Sequence, residues 1–320
     1  MHYDINRRPL FETVKKHATS GNFLAVIICN LISLGASCLL FGTVFSVLID
    51  LSELFSSPLS GINSYFFFAV FGILGLIFIA TIVVSLLLTL KLLSVRRFFK
   101  GKNNNPNGLS AIIKLQKIYY ILGGIASVVS VLSAIIFMFS SFIPEEEASA
   151  IIPLLFFVLP IYLAEIGGMI VLYYFSFKSI KTTVNYAINA VNDTAEGKVS
   201  VFLQVLSIIG IVSAASLVLS SIFIFVIAFI FFALLTMQDT IFLSVFFSVM
   251  FLPFALLLKS LWPLIFVAVP TLISSICYVK LLFGFKKDME KAKIEHAQIQ
   301  QQIAALEAQN AVAAEESISE

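Results

Sequence analysis

Long apolar runs dominate the chain, and short polar stretches punctuate them. At 1.5 Å per residue, about 20 consecutive apolar residues cross a bilayer as a helix. By that measure the pattern predicts an all-α polytopic membrane bundle with six spans, at about 22–49, 65–93, 118–143, 151–177, 201–230 and 261–283. The fifth and sixth apolar runs, 201–235 and 241–285, are longer than a span needs, and Pro253, Pro263 and Pro270 interrupt the sixth. Residues 231–260 are therefore expected to form an outer interfacial or re-entrant segment, with the last span starting near Leu261.

The polar stretches carry patterns of their own. In residues 1–21, Pro9 suits a first helical position, and Leu10, Phe11 and Val14 fall on one helical face. This segment is expected to lie on the membrane surface, with Lys15 and Lys16 at the headgroups. Leu109, Ile112 and Ile113 predict a second surface-lying turn after the breaker NNNPNG. Ile180, Val184, Ala187, Ile188 and Val191 repeat at helical spacing and extend the fourth span. The tail, 286–320, is rich in helix formers and is expected to be helical to about Ala314, with a frayed acidic end. Met289, Ala292, His296, Ile299, Ile303, Leu306, Asn310 and Ala313 alternate by three and four, as heptad positions do. A coiled-coil partner and a solvated lone helix are both open readings of 286–314.

Composition supports the bilayer as solvent. Hydrophobic residues make up 60% of the 320 and charged residues 12%, against roughly 45–50% and about 25% in soluble domains. Charge then sets the expected topology. Nineteen of the 20 Lys and Arg lie in 1–21, 91–117, 178–198 and 280–320. The turns at 50–64, 144–150 and 236–244 hold none. The positive-inside rule puts both termini in the cytosol and those three turns outside. The spans then pair as three hairpins. The returning spans end alike, in LLTLKLLSVRRFFKG, LYYFSFKSIKTTV and ICYVKLLFGFKKD, which is consistent with one unit used three times. Snorkelling lysines after aromatic residues would produce the same likeness without a repeat. The first span is expected to serve as an uncleaved signal anchor, since its run is too long for a signal peptide.

One acidic residue stands out. Glu165 sits within the fourth span, 13 residues before Lys178, about 20 Å up the helix and near mid-membrane. Pro160 precedes it, where a kink is expected, and Gly167 and Gly168 follow it. An intramembrane acid is a functional candidate by default, as a ligand or proton site. A Glu hydrogen-bonded to a neighbouring helix is the other open reading, with Ser or Thr hydroxyls on spans two, three or five as partners. Lys259, 21 residues before Lys280, falls about 31 Å up its helix, at the outer interface. Trp262 lies one turn away, and the two read as interfacial anchors.

Other chemistry is not expected. His2, His17 and His296 lie outside the spans, and no HExxH, P-loop or dinucleotide fingerprint occurs. Cys29, Cys38 and Cys277 sit in apolar stretches and read as small hydrophobic residues. No catalytic site, metal, cofactor or nucleic-acid role follows. Thr81, Ser85 and Thr89, and Ala126, Ser130 and Ala134, form small-residue ridges suited to helix contact. Asn30, Ser33 and Ser37 are placed to bond across helices or to their own backbone. The expected function is a non-catalytic assembly, accessory or regulatory module of the plasma membrane, in contact with lipid and with another membrane protein or a second copy. The alternative is a carrier or permease that uses Glu165.

Overall fold

The computed structural model describes residues 7–54, 61–102, 108–142, 148–236 and 263–319. Among these residues there are seven helices and no strand: α1 Pro9–Thr19, α2 Gly21–Leu54, α3 Gly61–Phe99, α4 Gly108–Phe142, α5 Ala148–Val191, α6 Val201–Thr236 and α7 Leu264–Ser319. Six of them, α2 to α7, are long and apolar enough to cross a membrane. This is the architecture of an integral membrane protein. Side chains along these helices point outward in large number; Leu76 is 69% exposed and Phe229 74%. In water such a surface would be ruinous, whereas lipid tails solvate it.

Local chemistry explains the helix ends. Pro9 opens α1, Glu12 lies in its first turn, and Lys16 and His17 in its last, matching the helix dipole. The Ser20 hydroxyl donates to the His17 carbonyl and accepts from the Phe23 amide, so one side chain closes α1 and caps α2. The α3 helix ends on Gly101 at φ 72°, with the Gly101 amide on the Phe98 carbonyl and the Lys102 amide on the Arg97 carbonyl. That pair of bonds is a Schellman motif. Between α5 and α6, the Thr194 amide and hydroxyl both bond the Asn189 carbonyl. The Ser200 hydroxyl then caps α6 by accepting the Leu203 amide.

The helices pack unevenly along the bundle. The most extensive helix contacts are those of α7 with α2 and of α3 with α4; α7 also packs on α6, and α4 on α5. Contact within the α2/α3 pair is thin, as is that between α5 and α6. The α2/α7 seam explains its own strength. Cys29, Ala36 and Ala268 are small and buried there. The Ser274 hydroxyl donates to the Asn30 side-chain carbonyl at 3.0 Å, and Ser33 meets Thr271 at 3.3 Å. Small residues let the backbones approach, and polar side chains bond across the gap. Asn30 and Ser33 thus bond across helices, while Ser37 bonds the Ser33 carbonyl of its own helix.

The main apolar core lies at one end of the bundle. There α1, the ends of α3 and α5, the starts of α4 and α6, and the middle of α7 converge around Leu10, Phe99, Tyr186, Leu203, Phe285 and Met289. This head collects the basic segments of the chain. It also changes the reading of α1. Leu10, Val14 and Ala18 are buried, and α1 packs on α7, α5 and α3. The face expected on the headgroups is covered by protein. Likewise α4 is continuous from Gly108, and Ile112 is part of the head core. No separate surface-lying turn precedes the third span among the described residues. Helix α7 is 56 residues long, about 84 Å. It leaves the membrane region, crosses the head and continues beyond it.

Candidate functional site

A cleft of about 650 Å³ opens between α2, α3, α4 and α5, and Glu165 lines it. One wall is aromatic from α2 and α3: Phe41 stacks on Phe78 at 4.3 Å between ring centroids, and on Phe45 at 6.0 Å. Another wall comes from α4 and α5, where Tyr120 and Tyr173 lie 5.8 Å apart. Gly123 lies against the Tyr173 ring, where a Cβ would sit at ordinary contact distance, 3.4 Å. Thr81, Ser127 and Ser130 also border the space.

The hydroxyl orientations matter. Thr81 donates to the Ile77 carbonyl and Ser127 to the Gly123 carbonyl, each four residues back on its own helix. These groups therefore present oxygen lone pairs to the cleft, not hydrogens. Among the described residues Glu165 forms no hydrogen bond or ion pair, and no Lys or Arg lines the cleft. Thr81 and Ser130, from the two small-residue ridges, border an opening and are not locked into a seam.

The neighbours expected to act with Glu165 stand apart from it. Pro160 lies within α5, which runs unbroken from Ala148 to Val191, and it does not line the cleft. Gly167 and Gly168 are exposed, and a Cβ at either would meet nothing within 4 Å. Among the described residues no neighbouring helix packs on the glycine pair. Lys259 and Trp262 lie outside the described residues. The aromatic walls have little sequence signal, since Phe alone occurs 33 times.

A second polar cluster sits on the head. Asp288 of α7 accepts from Lys16 at 2.7 Å and faces His17 Nε2 at 3.1 Å. The Lys16 hydrogen bond is the largest influence holding the Asp288 carboxyl below its usual value, with His17 adding to it. Burial is the largest influence on His17 and lowers its pKa; the pull of Asp288 offsets that only in part. At neutral pH the contact is therefore a hydrogen bond to a neutral imidazole. Arg96 of α3 is buried and donates to the Ser20 carbonyl at 2.6 Å, pinning the α1/α2 corner. Among the described residues no group of three His, Cys, Asp or Glu is placed to hold a metal ion.

No family model matches the chain, nor does any curated protein or solved structure.

Proposed function

We propose that the chain is a non-catalytic multi-pass module of the plasma membrane that assembles with, or regulates, another membrane protein. The observation that carries this reading is the use the spans make of their polar groups. Ser37, Ser133, Ser176, Ser221 and Ser275 each donate to the carbonyl four residues back. The Asn30/Ser274 and Ser33/Thr271 pairs join helices. Hydroxyls bonded to their own helix are satisfied without water or solute, and the two cross-helix pairs hold α2 against α7. The end of α7 supplies a surface for a partner. Met289, Ala292 and Ile299 of the heptad series are buried, whereas Leu306 and Val312 are 42% and 56% exposed.

The orientation belongs to the same proposal. Both termini face the cytosol, three hairpins cross the membrane, and the hairpins derive from one repeated unit. Support comes from the charge distribution and from the gathering of the basic segments in one head. Purification of the full chain from native membranes in mild detergent tests the assembly reading. A stoichiometric membrane partner supports it; a stable lone bundle rejects it.

A second reading, a carrier that uses Glu165, is favoured by the cleft on which that residue opens. Under this reading Glu165→Gln abolishes flux with folding intact.

A further inference from the structure

We infer that the cleft between α2, α3, α4 and α5 binds a hydrophobic organic cation, with Glu165 as the countercharge and the flanking rings as its walls. The inference deepens the carrier reading by naming a ligand class, and rests on that reading only for what binding accomplishes.

Four observations converge. The volume, about 650 Å³, lies within the range of roughly 300–1,000 Å³ of small-molecule sites. The single ionisable acid of the lining meets no Lys or Arg among the described residues, so a cation completes the charge. Phe41, Phe78, Tyr120 and Tyr173 border the same space, which is open on one side and leaves the Glu165 side chain exposed, and aromatic rings attract cations. Thr81 and Ser127 turn lone pairs to the cleft because their hydrogens are spent on Ile77 and Gly123.

The same lining removes three competitors. An anion would face the Glu165 carboxyl group with no Lys or Arg among the described lining residues to offset it. A hard divalent cation needs about six oxygen ligands, often several carboxylates, and the cleft has one acid. A neutral lipid chain would gain nothing from Glu165. What remains is an ion soluble among hydrocarbon chains: one positive charge, delocalised or shielded, on an apolar frame.

The test uses the full-length chain in dodecyl maltoside and tetraphenylphosphonium as probe, by equilibrium dialysis. Expected is saturable binding of one ion per chain. Glu165→Gln, which keeps the shape and removes the charge, weakens it at least tenfold. Phe78→Leu, which keeps apolar bulk and removes the ring, weakens it several-fold. Neutral triphenylphosphine oxide competes poorly. Non-saturable uptake, equal binding by Glu165→Gln, or equal binding of the neutral compound overturns the inference. If Glu165→Gln aggregates, the Phe78→Leu and neutral-compound arms decide. Flux is measured separately, in sealed phosphatidylcholine vesicles. Glu165-dependent binding without flux keeps this inference and rejects the carrier; Glu165-dependent flux of another solute without phosphonium binding does the reverse.

Discussion

Replacing Leu10 with alanine tests whether α1 is held by protein or by lipid. Leu10 is fully buried, at 0% exposure, where α1 meets α7, α5 and α3. A buried Leu→Ala change costs about 2–5 kcal/mol, the spread reflecting how far the site collapses. Helix α1 has 11 residues and can settle into the space, which points to the lower half, about 2–3 kcal/mol. At about 1.4 kcal/mol per factor of ten, the undocked fraction of α1 rises roughly 30–140-fold. Hydrogen–deuterium exchange of residues 9–19, measured at pH 7.5 in detergent and in lipid nanodiscs, reads that fraction. The expected result is faster exchange of α1 by that factor in both media, with α2 little changed. Exchange within twofold of the parent, or protection present only in nanodiscs, would refute the docked helix and restore a surface-lying one.

Other consequences follow from the same contacts. Gly197 has φ 112°, and a Cβ there would stand 3.0 Å from the Tyr186 ring; Gly197→Ala should cost about 1–3 kcal/mol and speed exchange in 192–200. Folded His17 has a pKa below its ordinary 6.5 because it is buried, so the undocked state binds the proton more readily. Its contribution is complete above pH 6.5 and is lost as pH falls below that value, by at most about 1.4 kcal/mol per pH unit. Protection of α1 should fall with acidification over that window, and His17→Gln should remove the dependence. Asp288, whose carboxyl is held below its ordinary value of 3.8, contributes above pH 3.8 and loses its share only at lower pH. Glu165 bonds no described residue, so Glu165→Leu should change bundle stability by no more than about 0.5 kcal/mol; a larger loss in thermal unfolding would mark it as structural.

The spans were legible because lipid demands uniformly apolar helices, and no other solvent tolerates runs such as the one through Leu219 and Phe229. Glu165 was legible because an acid inside so long an apolar run stands out in the sequence itself. The cover over α1 was not, since Leu10, Phe11 and Val14 form the same amphipathic stripe whether lipid or protein lies against it. The pairing of α2 with α7 was hidden for a related reason. Asn30 and Ser33 show that a partner is needed, but Ser274 and Thr271 lie more than 200 residues away. Among many phenylalanines, nothing set Phe41 and Phe78 apart until their rings were seen stacked. The heptad series divides because the head uses its first half: Met289 and Ala292 pack into the core, and Leu306 is left outside.

We propose that the basic end of the bundle, with the head formed by α1, α3, α4, α5, α6 and α7, faces the cytosol. Single cysteines at Ser57, Ser149, Asn104 and Leu306, in a chain whose three native cysteines are replaced by alanine, test it with a membrane-impermeant thiol reagent on intact cells. The account predicts labelling at Ser57 and Ser149, and none at Asn104 or Leu306 until the cells are opened. Labelling of Asn104 and Leu306 on intact cells, with Ser57 and Ser149 silent, would contradict it.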